Sequence, residues 1–377
     1  MRRAVRLSSL VLALGLAAGC YLSHQRADAP DGGPGATDAG PRDGGARDAG
    51  FPDAGPPRDP RWVELATDSG GPPARMNHFA FYDGDRDRMV VLGGFDPYLE
   101  TGGCCRAEYV YYRDVWQLDL RSERWSQIGE LERPLLSIYP TEAALDAPRR
   151  RVVIVGAVVN PNFGPIVNVA LDLDRWGEAP LPAGPWPSGE WPLRAAHDAA
   201  AHRIVVHDAM YTAATLGLWV FDLTRDRWST VEAMDAPIIR YHTQLIAAGR
   251  DRYLMYAGYG HPGERTAELW ALDLDGRRWS PVPLVDAPDG RWSHRVVFDA
   301  ARDRLVVYGG MLLSIHQGTL FVDLGEPSTE DPHLDPEPDG RRDHSMVFDS
   351  RRRRALVFGG AHASDHTYGD TWALELP

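Results

Sequence analysis

Short apolar runs dominate the chain from about residue 61 onward, and they come in pairs. In Arg291–Gly310 one run, Val296–Phe298, is followed by Asp299 and a short polar turn. Arg304 then opens a second run, Leu305–Tyr308, that ends in Gly309-Gly310. Runs of this length bounded by turn residues predict two strands joined as a tight hairpin. The pattern recurs six times at a period of roughly fifty residues, registered on His78, Thr141, Leu193, His242, His294 and His344. Five positions later stand Asp83, Asp146, Asp198, Ala247, Asp299 and Asp349, and after them Arg88, Arg151, Arg203, Arg252, Arg304 and Arg354. The glycine pair is intact at 93–94, 309–310 and 359–360, and degraded in the other copies.

After a variable loop each copy offers a third apolar segment, such as LWVFDL or LWALDL. Four copies add an Arg-Trp segment at Trp125, Trp176, Trp228 and Trp279; the fifth has a Pro- and acid-rich stretch at 325–339 that predicts a weak outer strand. Four short strands per unit at this period predict a propeller blade, not a helical solenoid. The expected fold is all-β, a six-bladed β-propeller of four-stranded antiparallel blades over residues 61–377. The chain closes on a third strand, Thr371–Leu376, and the folded part opens on Arg61–Glu64, a fourth strand with no third before it. The two should pair and seal the ring, leaving no free edge.

The double glycine, the Arg-x-x-His start seen at Arg75, Arg291 and Arg341, and the later tryptophan resemble kelch repeats of bacterial proteins. The resemblance covers about residues 61–377. It implies a binding or interaction module whose ligands meet the loops. It also implies an alternative, because some six-bladed kelch proteins of the periplasm are sialic acid mutarotases acting through channel arginines and acids.

The N-terminus adds a location. Residues 1–19 have a basic start, an apolar run and a small-residue end, the pattern of a secretory signal. Ala17-Ala18-Gly19-Cys20 resembles the bacterial lipobox, which implies lipidation of Cys20 and a lipid anchor to a membrane of the cell envelope, with the outer membrane the expected one. Residues 20–60 are rich in Pro, Gly, Ala and Asp with almost no apolar bulk, the composition of a disordered linker.

Charge removes some functions. The net charge is −13, with 40 basic residues against 53 acidic ones, which argues against nucleic acid as a partner. Every basic residue is arginine, which removes Schiff-base and P-loop lysine chemistry. No nucleophile-elbow, zincin or dinucleotide motif occurs, so no residue is assigned a catalytic role and no cofactor is expected. The expected partner is an envelope protein or a glycan.

Strand alternation places the fourth-to-first and second-to-third connections on one face of the ring, the natural place for a ligand. The candidates there are Arg75, Glu190, Arg240, Arg291 and Arg341 from the first kind of loop, and Tyr98, Tyr259, His316 and His362 from the second. Arginines near a channel can grip carboxylates. Equally, Arg and His inside a repeat can tie loops to neighbouring blades. His261, His316, His362 and His366 show no spacing that compels a metal, so none is assigned. Cys104 and Cys105 are a possible vicinal disulfide in the longest loop.

Overall fold

The computed structural model describes residues 59–377, apart from 66–69, 99–108, 139–140, 160–165, 183–192, 209–216, 238–239, 250, 261–265, 312–313, 316–317 and 363–365. The signal segment, Cys20, the linker, Cys104, Cys105, Glu190 and His316 lie outside the described residues.

The repeats form six four-stranded antiparallel sheets. Blade 1 is Phe79–Asp83, Arg88–Leu92, Asp114–Asp119 and Arg124–Glu130. Blade 6 is Ser345–Asp349, Arg354–Phe358 and Thr371–Glu375, completed by Arg61–Glu64 from the other end of the folded chain. Arg61 pairs with Glu375 and Glu64 with Trp372, so the ring is sealed as the sequence predicts. Trp62 carries the seal into blade 5, where its indole N–H donates to Thr319 Oγ1 at 2.9 Å. The outer strand of blade 5 is short, Ser328–Glu330, as its composition predicts. That of blade 2 is shorter still, Glu178–Ala179, with Trp176 packed just before it.

The first strand of every blade is innermost, and each touches the first strand of the next around the whole ring. Second strands are buried on both faces (Arg88–Leu92, Arg354–Phe358) because a neighbouring blade covers each side. Six apolar clusters fill the gaps between blades.

The repeated polar positions bolt the blades together. Arg88, Arg151, Arg203, Arg304 and Arg354 each turn back to the aspartate of their own hairpin. Three of these also cross to the following blade, Arg151 to Asp226, Arg203 to Asp251 and Arg354 to Glu123, and Arg252 of blade 4 likewise reaches Asp303. Arg352 grips Asp87 with two bonds of 2.7 Å across the seam between blades 6 and 1.

The glycine pair has a steric reason. Gly309 has φ +67, and a Cβ there would lie 2.3 Å from the carbonyl oxygen of Arg341 in the next blade. Gly310 then donates its N–H to that same carbonyl at 2.8 Å. Only glycine permits this approach and this conformation together.

Two registers differ from the sequence reading. In blade 4 the hairpin is one residue shorter: Ala248, not Ala247, stands opposite Arg252, Arg240 occupies the motif-arginine place, and Thr243 replaces the histidine. The N–H of Gly258 and the packing of its Cα against Thr243 fix this alignment. In blade 2, Leu135 takes the arginine place, which the register on Thr141 would put three residues before it at Ile138, because the N–H of Gly94 donates to the Leu135 carbonyl at 2.9 Å.

Candidate functional site at the channel mouth

The segments entering the first strands carry the motif arginines, and the structure sorts these into two kinds. Arg75 is fully buried. It donates to both carboxylate oxygens of Asp114 at 2.6 and 2.8 Å, to the carbonyls of Gly93 and Pro73, and stacks on Tyr112. Arg341 repeats every contact with Asp370, Gly359, Asp339 and Tyr368. Each acid also accepts an indole N–H, from Trp116 and Trp372. Arg240, Glu268 and Trp270 form a third copy in blade 4. Arg75 and Arg341 spend their donors on the scaffold, clamping the entry segment to the third strand of the same blade; Arg240 makes the same ion pair but its Nε and Nη1 have no acceptor among the described residues. Arg291 has no such acid among the described residues.

The residue two after the motif arginine sits on the channel rim. The Asn77 N–H donates to the Asp343 carbonyl at 2.9 Å, Ser137 to Asn77 at 2.7 Å, Ser293 to His242 at 2.9 Å and Asp343 to Ser293 at 3.2 Å. One backbone position thus links blades 2, 1, 6, 5 and 4 in a chain around the axis. Asn77, His242, Ser293 and Asp343 adopt left-handed φ values between 51 and 56° to do so, a conformation costly for residues other than glycine and often found at binding sites. Their side chains, with those beside them, furnish the mouth. His242 Nδ1 lies 3.4 Å from Ser293 Oγ, and its ring packs on Trp292, which also meets Tyr259. Opposite, Arg342 pairs with Asp343 and bonds the side chain of Tyr98. Burial holds the His242 imidazole below its ordinary range, with Asp343 opposing and Arg342 adding to the effect.

Beyond the rim, at or beside the start of each innermost strand, stand Phe79, Glu142, Arg194, Gln244, Arg295 and Ser345 in blades 1 to 6. Glu142 of blade 2 accepts from Gln244 Nε2 of blade 4 at 2.9 Å, so the contact bridges the bore between blades that are not neighbours. Glu142 also accepts the His197 amide at 2.7 Å, and Gln244 accepts that of Val296 at 3.2 Å. These amides belong to innermost strands, whose free edges line the channel and need partners. Arg295 donates to the His344 carbonyl at 2.7 Å. Glu142 keeps some surface along the bore, yet protein encloses it. Burial pushes its carboxyl up to about 7, while the His197 amide, Gln244 and Arg295 pull the other way.

Sequence reasoning missed this throat. It would have shown as a column in the six-fold register that mixes Phe, Glu, Gln, Arg and Ser next to a nearly constant motif. The motif histidines pack as repeat elements: His78 bonds Ser345 of blade 6 at 2.8 Å and stands edge-on to Phe358. His362 lies apart from the throat, stacked on His366 in a cleft of about 260 Å³ that Ile315, Asp339, Gly340 and Tyr368 complete. Among the described residues no group of three or more metal-ligating side chains occurs.

Residues 207–377 match the family model described as the KLHDC2/KLHL20/DRC7 Kelch-repeats domain. The solved structure of YjhT is similar over 80% of this chain and 95% of that chain, with a TM-score of 0.53 at 14% sequence identity. At that identity the likeness concerns the fold alone. The second half of the chain is thus similar to kelch repeats and the whole forms a six-bladed propeller, whose chemistry has to be read from its own channel.

Proposed function

We propose that this kelch-type propeller is a binding module of the cell envelope that takes a glycan, or a glycan-bearing protein, at the channel mouth. The observation that carries the reading is the division of labour among the loops. The repeated arginines are consumed by the scaffold, whereas the rim gathers His242, Trp292 and Tyr259 on one side and Tyr98, Arg342 and Asp343 on the other. Aromatic faces with a few convergent polar groups in a concave place suit a sugar ring and its hydroxyls. The test is a glycan array and calorimetric titration with the mature chain carrying Cys20→Ala to remove the acylation site. Binding should be lost in His242→Ala and in Arg342→Ala. If both variants bind every captured glycan as the parent does, the reading is wrong.

One observation favours a second reading, an enzyme acting on a sugar. Glu142, at about 7, is poised to give and take a proton near neutral pH, and the charge of Arg295 acts on it. Ring opening of a sugar hemiacetal needs such a group. Faster anomer exchange of a sugar acid, followed by NMR and abolished in Glu142→Gln, would support it; exchange at the buffer rate would exclude it.

Attachment through Cys20, with residues 20–60 as a tether, completes the proposal. Its support is the lipobox-like sequence and the linker composition. The full chain should partition into detergent, and the Cys20→Ala chain into water.

A further inference from the structure

Blade 5 breaks the clamp of Arg, acid and tryptophan in a way that leaves a seat empty. In blades 1, 4 and 6 the acid stands five residues before the end of the third strand, at Asp114, Glu268 and Asp370. In blade 5 that place is Gly318, and the tryptophan two positions on is Leu320. The arginine has stayed. Arg291 is only 6% exposed, yet among the described residues it has no carboxylate within salt-bridge distance. Its contacts are two long ones, from Nη1 to the carbonyls of Gly309 at 3.4 Å and Gly318 at 3.5 Å, and its Nε has no acceptor. A buried guanidinium in that condition is costly.

Among the described residues the seat has room: a Cβ at Gly318 would meet a single neighbour, Glu337 Oε2, at 3.9 Å. The Oε1 of Glu337 accepts both the N–H and the hydroxyl of Thr319 at 2.6 Å, while Glu337 and Asp331 act on Arg291 through their charge without reaching it as ion pairs. The seat is also reachable. The sister carboxylates keep 17, 27 and 57% of their side-chain surface exposed, so an anion can arrive from solvent where they sit.

We infer that blade 5 is a receptor for a small carboxylate, which docks between Arg291 and Gly318 and supplies from outside the group that Asp114 and Asp370 supply from within. The geometry expected is the bidentate one of those two pairs. The site lies at the third strand of one blade, not in the channel, so it stands or falls independently of the glycan reading.

Acetate, an aspartate side chain cut from its backbone, is the probe. In the full chain at constant ionic strength, acetate replacing chloride should raise Tm saturably, by about 2 °C once the seat is filled. The rise should vanish in Arg291→Gln. Asp370→Gly, which empties the equivalent seat of blade 6, should respond more strongly to acetate than the parent. Should Arg291→Gln fold poorly, the Nε–H resonances of arginine in the parent give a second reading: acetate should move one of them saturably. A parent whose Tm and arginine resonances ignore acetate, or a rise undiminished in a folded Arg291→Gln chain, overturns the inference.

Discussion

At the hairpin end of the ring the blades are nearly copies of one another. An aspartate closes the hairpin, an arginine opens the second strand, and that arginine reaches its own aspartate or the next blade's acid. At the channel mouth the same six repeats disagree. One backbone position holds Asn77, Ser137, His242, Ser293 and Asp343, and at or beside the start of the innermost strands stand Phe79, Glu142, Arg194, Gln244, Arg295 and Ser345. A closed ring needs every interface to hold, so its bolts repeat. A ligand meets all blades at once from the axis, and each can contribute something different. Repetition thus marks scaffold, and departures from it mark the places where binding can reside.

The largest effect expected from breaking the scaffold end is at the seam. Removing residues up to Glu64 takes away the fourth strand of blade 6 together with Trp62, which is 2% exposed and bonded into blade 5. The ring should lose its cooperative thermal transition. The milder Trp62→Ala should cost about 3–5 kcal/mol in denaturant unfolding, through the lost packing of a buried aromatic.

Acid should come next. His78, His197, His207 and His344 are all held below their ordinary range, first by burial; His197 falls to about 4 and His207 to about 3. A histidine with a depressed folded pKa contributes stability that is intact above the unfolded value near 6.5. That contribution is lost as pH falls toward the folded value. Each should withdraw roughly 2 kcal/mol by pH 5. Glu142 acts in the opposite sense, since its raised pKa makes folding less favourable as pH climbs from about 4.5 to 7. Four histidines outweigh one carboxyl, so denaturation midpoints should fall below pH 6.5. Glu142→Gln removes that opposing contribution and should widen the gain seen between pH 5 and 7.

A smaller effect separates two arginines of identical motif. Asp370→Asn leaves the buried Arg341 with a neutral partner and should cost about 3 kcal/mol. Arg291→Gln removes a cation that has no carboxylate within salt-bridge distance among the described residues and should change stability by less than about 1 kcal/mol. Equal costs in urea titrations would mean that blade 5 is clamped like its sisters.

Much of the fold was legible in the sequence because a propeller writes its period into the chain. The spacing of the Asp and Arg columns, the glycine pairs and the unmatched end strands of blade 6 specified blade number, strand order and closure. The registers of blades 2 and 4 slipped because the alignment rested on residue identity. His242 looked like the motif histidine, but the shortened turn at Ala248 moves it to the rim position. The site was less legible. Arg75 and Arg341 looked like ligand grips until their carboxylates appeared 39 and 29 residues downstream, a pairing that only the third strand's position reveals. The throat was hidden because Glu142 and Gln244 lie about a hundred residues apart, in blades that meet only across the axis.

The most direct test of the division between scaffold and mouth compares ligand capture by three folded proteins: the parent with Cys20→Ala, the same chain with His242→Ala and Arg342→Ala, and the same chain with Asp370→Asn. Calorimetry against the best glycan from the array should show binding by the parent and by the Asp370→Asn chain, with affinity lost by tenfold or more in the rim variant. If the rim variant binds as the parent does while Asp370→Asn abolishes binding, the repeated clamps hold the ligand, and the account is wrong.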